Sequence, residues 1–251
     1  MTPQAIAKML IARAADLRAV AMFLTRLPLG NPDVGDVPIA RILWAFPVVG
    51  WGRCSLAGLV FGLGVLPAAA LAVAMEVWAT GAFHEDGLAD TADGLGGATQ
   101  EDSLEILRDS RLGTFGVSAL SLSLAARFAV IAAVAEPLAV IALLATAGAI
   151  SRAALAWPMA LLPPARADGM SAFIGVPTLR EALIASVIAL GLALISVGIG
   201  LTVIALVVAA IGAGALSAMT RRAFGGQTGD VLGATQQVTY VLILMVLSAK
   251  I

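Results

Sequence analysis

The sequence predicts an all-α fold: a polytopic transmembrane helical bundle of six to seven spans with an N-terminal interfacial helix, forming one integral-membrane domain over 1–251. Three observations predict it. Of the 251 residues, 60% are hydrophobic and 12% charged, whereas soluble domains carry about a quarter charged residues. The mean hydropathy is +0.99, a value that leaves too little polar surface to face water. The apolar residues also fall in runs near the roughly 20 residues a helix needs to cross the hydrocarbon layer.

Residues 1–27 interleave Lys8, Arg13, Asp16, Arg18 and Arg26 with apolar residues, so there is no unbroken apolar stretch of the kind a secretory signal carries. Ile6, Leu10, Leu17 and Leu24 share one helical face, interrupted by Arg13, which predicts a helix lying in the membrane interface. Spans are then expected near 42–66, 67–83, 114–135, 138–162, 181–200, 201–220 and 231–249. Short turns without Lys or Arg fall at Leu66–Pro67, at Glu136–Pro137 and around Gly200. Longer polar connections at 28–41, 84–113, 163–180 and 221–230 carry Arg41, Arg108, Arg111, Arg166, Arg180, Arg221 and Arg222. Cationic loops remain cytoplasmic in helical membrane proteins. A seven-span path therefore places every polar loop inside, every bare turn outside and the C-terminus outside. No internal repeat is evident, so the inverted-repeat plan of many transporters finds no support.

The net charge of −1 offers no basic surface to release counterions, so nucleic acid is not an expected partner. The single cysteine, Cys54, lies in an apolar run and reads as a small buried hydrophobe.

Chemistry concentrates in three polar segments. Eight of the sixteen carboxylates lie between Glu85 and Asp109. Asp86, Asp90 and Asp93 are spaced i, i+4, i+7, which puts them on one face of a helix. Stacked like charges repel, and a divalent cation with hard oxygen ligands, Mg²⁺ or Mn²⁺, would relieve them; a solvated acidic loop would need none. His84, the only histidine, can be a base, a metal ligand, a phosphate donor or a hydrogen-bonded residue at a helix end. In the second segment, 107–116, Arg108 and Arg111 have the planar fork that grips phosphate, and Asp109 can join a metal site. Asp102, Glu105 and Asp109 also share a face that solvent alone can satisfy. In the third, Arg221-Arg-Ala-Phe-Gly-Gly-Gln-Thr-Gly-Asp230, glycines beside Thr228 and a carboxylate suggest a backbone cradle for phosphate. It lacks the Gly-Lys-Ser/Thr of a nucleotide P-loop.

Arg53, Arg127, Arg152 and Glu76 fall within predicted spans, where charges are costly and face a cavity or a partner. Glu76, Thr80 and His84 are spaced i, i+4, i+8. Glu76 thus either lines the cavity of His84 from deeper in the layer or pairs with an arginine.

The string Phe83-His-Glu-Asp-Gly-Leu-Ala-Asp-Thr-Ala-Asp-Gly94 resembles the signature of the cobalamin synthase (adenosylcobinamide-GDP ribazoletransferase) family. Phe23-Leu-Thr-Arg-Leu-Pro28, Asp109-Ser-Arg-Leu-Gly-Thr-Phe-Gly116, Ser151-Arg152 and Gly225-Gly-Gln-Thr-Gly-Asp-Val-Leu-Gly233 are similar to it in order and spacing. The resemblance spans nearly the whole chain. It implies a Mg²⁺-dependent transferase acting on adenosylcobinamide-GDP and α-ribazole or its 5′-phosphate, in a bacterial-type inner membrane with the active site facing the cytoplasm, and it leaves open a homo-oligomer. It further implies His84, Asp86, Asp90 and Asp93 as catalytic, and Asp86, Asp90, Asp93, Asp109 and Asp230 as metal ligands. Arg26, Arg108, Arg111, Arg152, Arg222, Gln227 and Thr228 would bind substrate. Of the other readings, a lipid-type alcohol phosphotransferase would show Asp-Gly-x-x-Ala-Arg, which is absent because Asp90 follows Ala89. A cation transporter would carry its acids at mid-depth rather than in one loop.

Overall fold

The computed structural model describes residues 2–29, 39–57, 64–109, 111–166 and 174–250. All regular elements among these residues are helical. Helix α1 (Pro3–Leu24) starts on a Thr2 side-chain cap. Its first half leaves Ile6, Met9, Leu10 and Ile11 exposed, and only its C-terminal end, through Val20 and Leu24, enters a core. Helix α2 (Ala45–Ala57) packs against α7 (Pro137–Ala154) glycine to glycine. A Cβ on Gly50 would lie 2.2 Å from the carbonyl oxygen of Gly148.

Helix α3 (Val65–Thr80) is followed by α4 (Phe83–Gly94) at an angle of 88°. Two consecutive left-handed residues make the corner, Gly81 at φ 64° and Ala82 at φ 60°. The Arg26 side chain lies over Gly81, and a Cβ there, 2.1 Å from its Nε, would push it aside. Helix α4 therefore does not continue the axis of α3. It is followed by the short α5 (Gln100–Ile106), α6 (Thr114–Val134), α7 and α8 (Ala156–Leu161).

Helix α9 (Leu179–Phe224) opens on a Thr178–Glu181 capping box and is interrupted at Gly198, whose φ of 74° and ψ of 177° are not helical. Ser186 and Ala189 from the first arm line one cavity with Ala209, Ala213 and Ser217 from the second. A straight helix of 46 residues, roughly 70 Å at 1.5 Å per residue, could not bring them together, so the chain reverses at Gly198. Helix α10 (Gly229–Ser248) follows on a Thr228 cap.

Among the described residues, four helices are long and apolar enough to cross a membrane: Thr114–Val134, Pro137–Leu161, Leu179–Phe224 and Gly229–Ser248. The bent pair of α3 and α4 makes a fifth if taken together. Of the sequence-expected span 42–66, residues 58–63 lie outside the described residues, so the length of that helix is not defined. The expected span 67–83 corresponds to α3, whose 16 residues reach about 24 Å against a layer of about 30 Å, and it passes as a span only together with α4. The expected turn near Gly200 is present as the Gly198 break.

Candidate active site

Helix α4 carries Glu85 and Asp86 in its first turn, where carboxylates suit the helix dipole. Its glycine face lies on α10. A Cβ on Gly87 would be 2.7 Å from the backbone oxygen of Asp230, and one on Gly233 would be 3.2 Å from the Cα of Gly87. This close crossing sets Asp230, in the first turn of α10, beside the acidic face of α4. Asp90 registers the result. Its pKa is pushed up from 3.8 to about 7, first by partial burial and then by Asp86, Asp230 and Asp93, with Arg166 opposing. A Gly87→Ala variant is expected to wedge α4 from α10 and lower activity at least tenfold, the scale of overpacking at about 1–3 kcal/mol. Turnover measured beside a melting curve would check this, and wild-type turnover would remove the crossing from the site.

Asp93 is already engaged. Its carboxylate accepts the backbone N–H groups of Gly113 (2.7 Å) and Gly116 (2.8 Å) at the N-terminus of α6. A Cβ on either glycine would lie within 2.4 Å of a carboxylate oxygen, which explains the glycine pair in Leu112-Gly-Thr-Phe-Gly116. Asp109 is held by Arg111 through contacts of 2.6 to 3.0 Å, and these hydrogen bonds bring its pKa down to about 2. Asp93, Asp109 and Arg111 border one open hollow of about 510 Å³, and Arg108 joins Asp109 and Arg111 in a neighbouring one of about 580 Å³.

On the other side, Thr228 Oγ accepts the N–H of Val231 and donates to Asp230 at 3.3 Å. Arg166 reaches the same Asp230 carboxylate at 3.1 Å. The segment 163–166 is docked on 225–228 by a parallel bridge between Pro164 and Gln227. The N–H of Gln227 donates to Pro163 and that of Gly225 to Arg221. The loop therefore spends these two N–H groups within the protein, which leaves the N–H groups of Gly226, Thr228 and Gly229 for the cradle expected from sequence. Gln227 and Thr228 are buried.

The remaining expected site residues are spread out. His84 is 2% exposed, and neither ring nitrogen has a hydrogen-bond partner. It projects from the side of α4 opposite to the aspartates, among Phe23, Phe46, Leu155 and Met159. Arg152 is buried on α7 and donates to the Gly148 carbonyl. Arg26 lies over the Gly81 corner, with its backbone N–H on Ala79. Arg222 is exposed near the end of α9. The helical line from Glu76 to His84 does not exist, because the chain turns at Gly81 and Ala82.

Glu76 pairs instead with Arg127 at 2.8 Å, and Arg127 also holds Glu85 at 2.8 Å. Tyr240 donates to Glu76, and Gln237 donates to Glu85 at 3.0 Å. Ser123 donates to Gln237, and Gln236 to Ser151. This buried lattice ties α3, α4, α6, α7 and α10 together and fixes α4 from beneath. Sequence reasoning missed Glu85, Gln236 and Gln237 as lattice members and Arg166 as a site residue. The paired glutamines inside an apolar span were a usable signal; nothing in the spacing of Arg166 was.

Among the described residues no three His, Cys, Asp or Glu side chains converge to hold an ion by themselves. The donor chemistry nonetheless fits Mg²⁺. Crowded hard oxygens raise Asp90, and Mg²⁺ is ordinarily held by one or two carboxylates with water and substrate phosphates completing its shell.

The cobalamin-5-phosphate synthase family model matches residues 16–248. The chain is similar to an adenosylcobinamide-GDP ribazoletransferase of Bradyrhizobium diazoefficiens, 45% identical over 244 residues and covering 94% of both chains. It is 40% identical to that of Mesorhizobium japonicum over 94% of this chain and 93% of the relative. It is 42% identical to that of Azorhizobium caulinodans over 92% and 94%. No solved structure matches it. With relatives this similar over nearly their full length, the chain belongs to the cobalamin-5-phosphate synthase family.

Proposed function

We propose that the chain joins α-ribazole, or its 5′-phosphate, to adenosylcobinamide-GDP, the late nucleotide-loop step of cobalamin biosynthesis. The ribose 3′-hydroxyl attacks the cobinamide-side phosphorus, the bond to the bridging oxygen breaks, GMP leaves, and the hydroxyl proton passes to a base. The observation that carries the reading is the close α4–α10 crossing, which sets Asp230 beside the acidic face of α4, so that Asp86, Asp230 and Asp93 all raise the pKa of Asp90. Asp90 and Asp230 are the proposed ligands of Mg²⁺, with water and substrate phosphates completing its shell and Asp86 beside them; the bound ion would neutralise charge on the pyrophosphate. Asp93 holds the N-terminus of α6 against this face. Arg108 and Arg111, exposed at the hollows beside it, are the proposed grips on outer phosphate oxygens, Arg111 by exchanging its pairing with Asp109. An aspartate of the acidic face, rather than the buried His84, is the proposed proton acceptor. Purified protein incubated with adenosylcobinamide-GDP, α-ribazole and Mg²⁺ is expected to release GMP, and to stop when the metal is chelated. Absence of GMP would reject the assignment.

The proposed setting is the inner membrane, crossed six to seven times, with the site facing the cytoplasm. The polar segments support this by meeting at one end: Asp93 with 113–116, Gln100 with Phe224, and 163–166 with 225–230. In intact cells a Val176→Cys variant is expected to resist a membrane-impermeant thiol reagent and a Leu138→Cys variant to react. The opposite labelling would invert the orientation.

A further inference from the structure

Arg166 is paired with Asp230, the carboxylate that α10 sets beside the acidic face of α4. Its Nη2 lies 3.1 Å from Asp230, its side chain is 17% exposed, and its buried Nε has no hydrogen-bond partner among the described residues. Its charge also reaches Asp90, where it is the lowering influence against three raising carboxylates. The segment that carries it is fixed. Gln227 exchanges backbone hydrogen bonds with Pro163 and Ala165, and Gly226 has no room for a Cβ, which would sit 2.1 Å from the Pro163 oxygen.

We propose that Arg166 is a charge placeholder that becomes a substrate-positioning residue: it neutralises Asp230 until a divalent cation arrives, and then turns its guanidinium to the diphosphate of the nucleotide-activated donor. The idea rests on the metal reading above. A dication beside Asp230 and Asp90 repels the guanidinium and takes over the carboxylate that held it. The released fork has five donors suited to paired phosphate oxygens, and Nε already lacks a partner among the described residues. The backbone stays where 225–228 holds it, so only the side chain must move. One residue thereby couples metal occupancy to donor binding, with the metal entering first.

The test measures Mn²⁺ binding to metal-stripped, full-length protein in detergent by electron paramagnetic resonance, without substrate. Removing the competing cation in Arg166→Gln is expected to tighten Mn²⁺ binding about tenfold, the shift one neighbouring unit charge makes at a partly solvated site. The same variant is expected to raise KM for adenosylcobinamide-GDP about tenfold or more through loss of charge-assisted bonds. Arg166→Lys, which keeps the charge and loses the fork, is expected to bind Mn²⁺ as the wild type does while still raising KM. Unchanged or weaker Mn²⁺ binding in Arg166→Gln, with the wild type binding, overturns the placeholder role and leaves the metal reading standing. No Mn²⁺ binding by the wild type overturns both.

Discussion

Asp90→Asn is expected to lower turnover by roughly a hundredfold or more, equivalent to about 2.7 kcal/mol of transition-state stabilisation, while leaving the helices in place. Among the described residues Asp90 has no hydrogen-bonded partner that its loss would strand, and its raised pKa marks a carboxylate under partial burial and repulsion. The sign of the pH effect follows. A carboxyl raised from 3.8 to about 7 binds its proton more tightly in the folded state, so its ionisation costs stability progressively as pH rises through that window. The cost is absent near pH 4 and complete above pH 7. Metal-free Asp90→Asn is therefore expected to melt higher than wild type at pH 8 and equally at pH 4, with added Mg²⁺ narrowing the gap by stabilising only the wild type. Activity near normal, or a variant less stable at pH 8, would mean that Asp90 is a solvated surface group. Asp93→Asn should behave differently. It removes one acceptor from the pair serving Gly113 and Gly116, so it is expected to lose stability together with activity.

The second large effect lies beneath the site. Arg127→Met leaves Glu76 and Glu85 buried without their shared cation, and stranding charge in this way costs about 3–5 kcal/mol. Little folded protein is expected to survive detergent extraction, as read by fluorescence-detected gel filtration after heating. Combining Arg127→Met with Glu76→Gln and Glu85→Gln removes the stranded charges and is expected to restore most of the folded yield. An unchanged melting profile for Arg127→Met alone would show that water reaches the pair.

These two outcomes separate what the sequence displays from what it conceals. The i, i+4, i+7 spacing of Asp86, Asp90 and Asp93 is a local property of one helix, so their common face could be read directly. The Gly198 reversal was legible for a similar reason: a single apolar run twice the thickness of the layer has to turn, and glycines stand where it does. The corner between α3 and α4 was not legible. Thr80-Gly81-Ala82-Phe83 keeps the apolar pattern going, and alanine gives no hint that it takes a left-handed conformation at φ 60°. The false line from Glu76 to His84 followed from that one missed corner. The ion-pair partners of Arg166, Glu85 and Arg127 lie 42 to 64 residues away, and no periodicity records contacts at that distance.

The buried lattice also bears on how the chain is made. Glu76 leaves the ribosome 51 residues before Arg127 and 164 before Tyr240. During synthesis its carboxylate therefore waits for its counter-ion, and the hydrogen bond from Tyr240 forms only after the last helix has emerged. Early segments enter the bilayer carrying an unmet electrostatic demand that late segments discharge. Helix α10, which brings Gln236, Gln237, Tyr240 and Asp230 together, acts as the closing element of assembly, and a nascent chain stopped before it would retain its early helices without a finished interior.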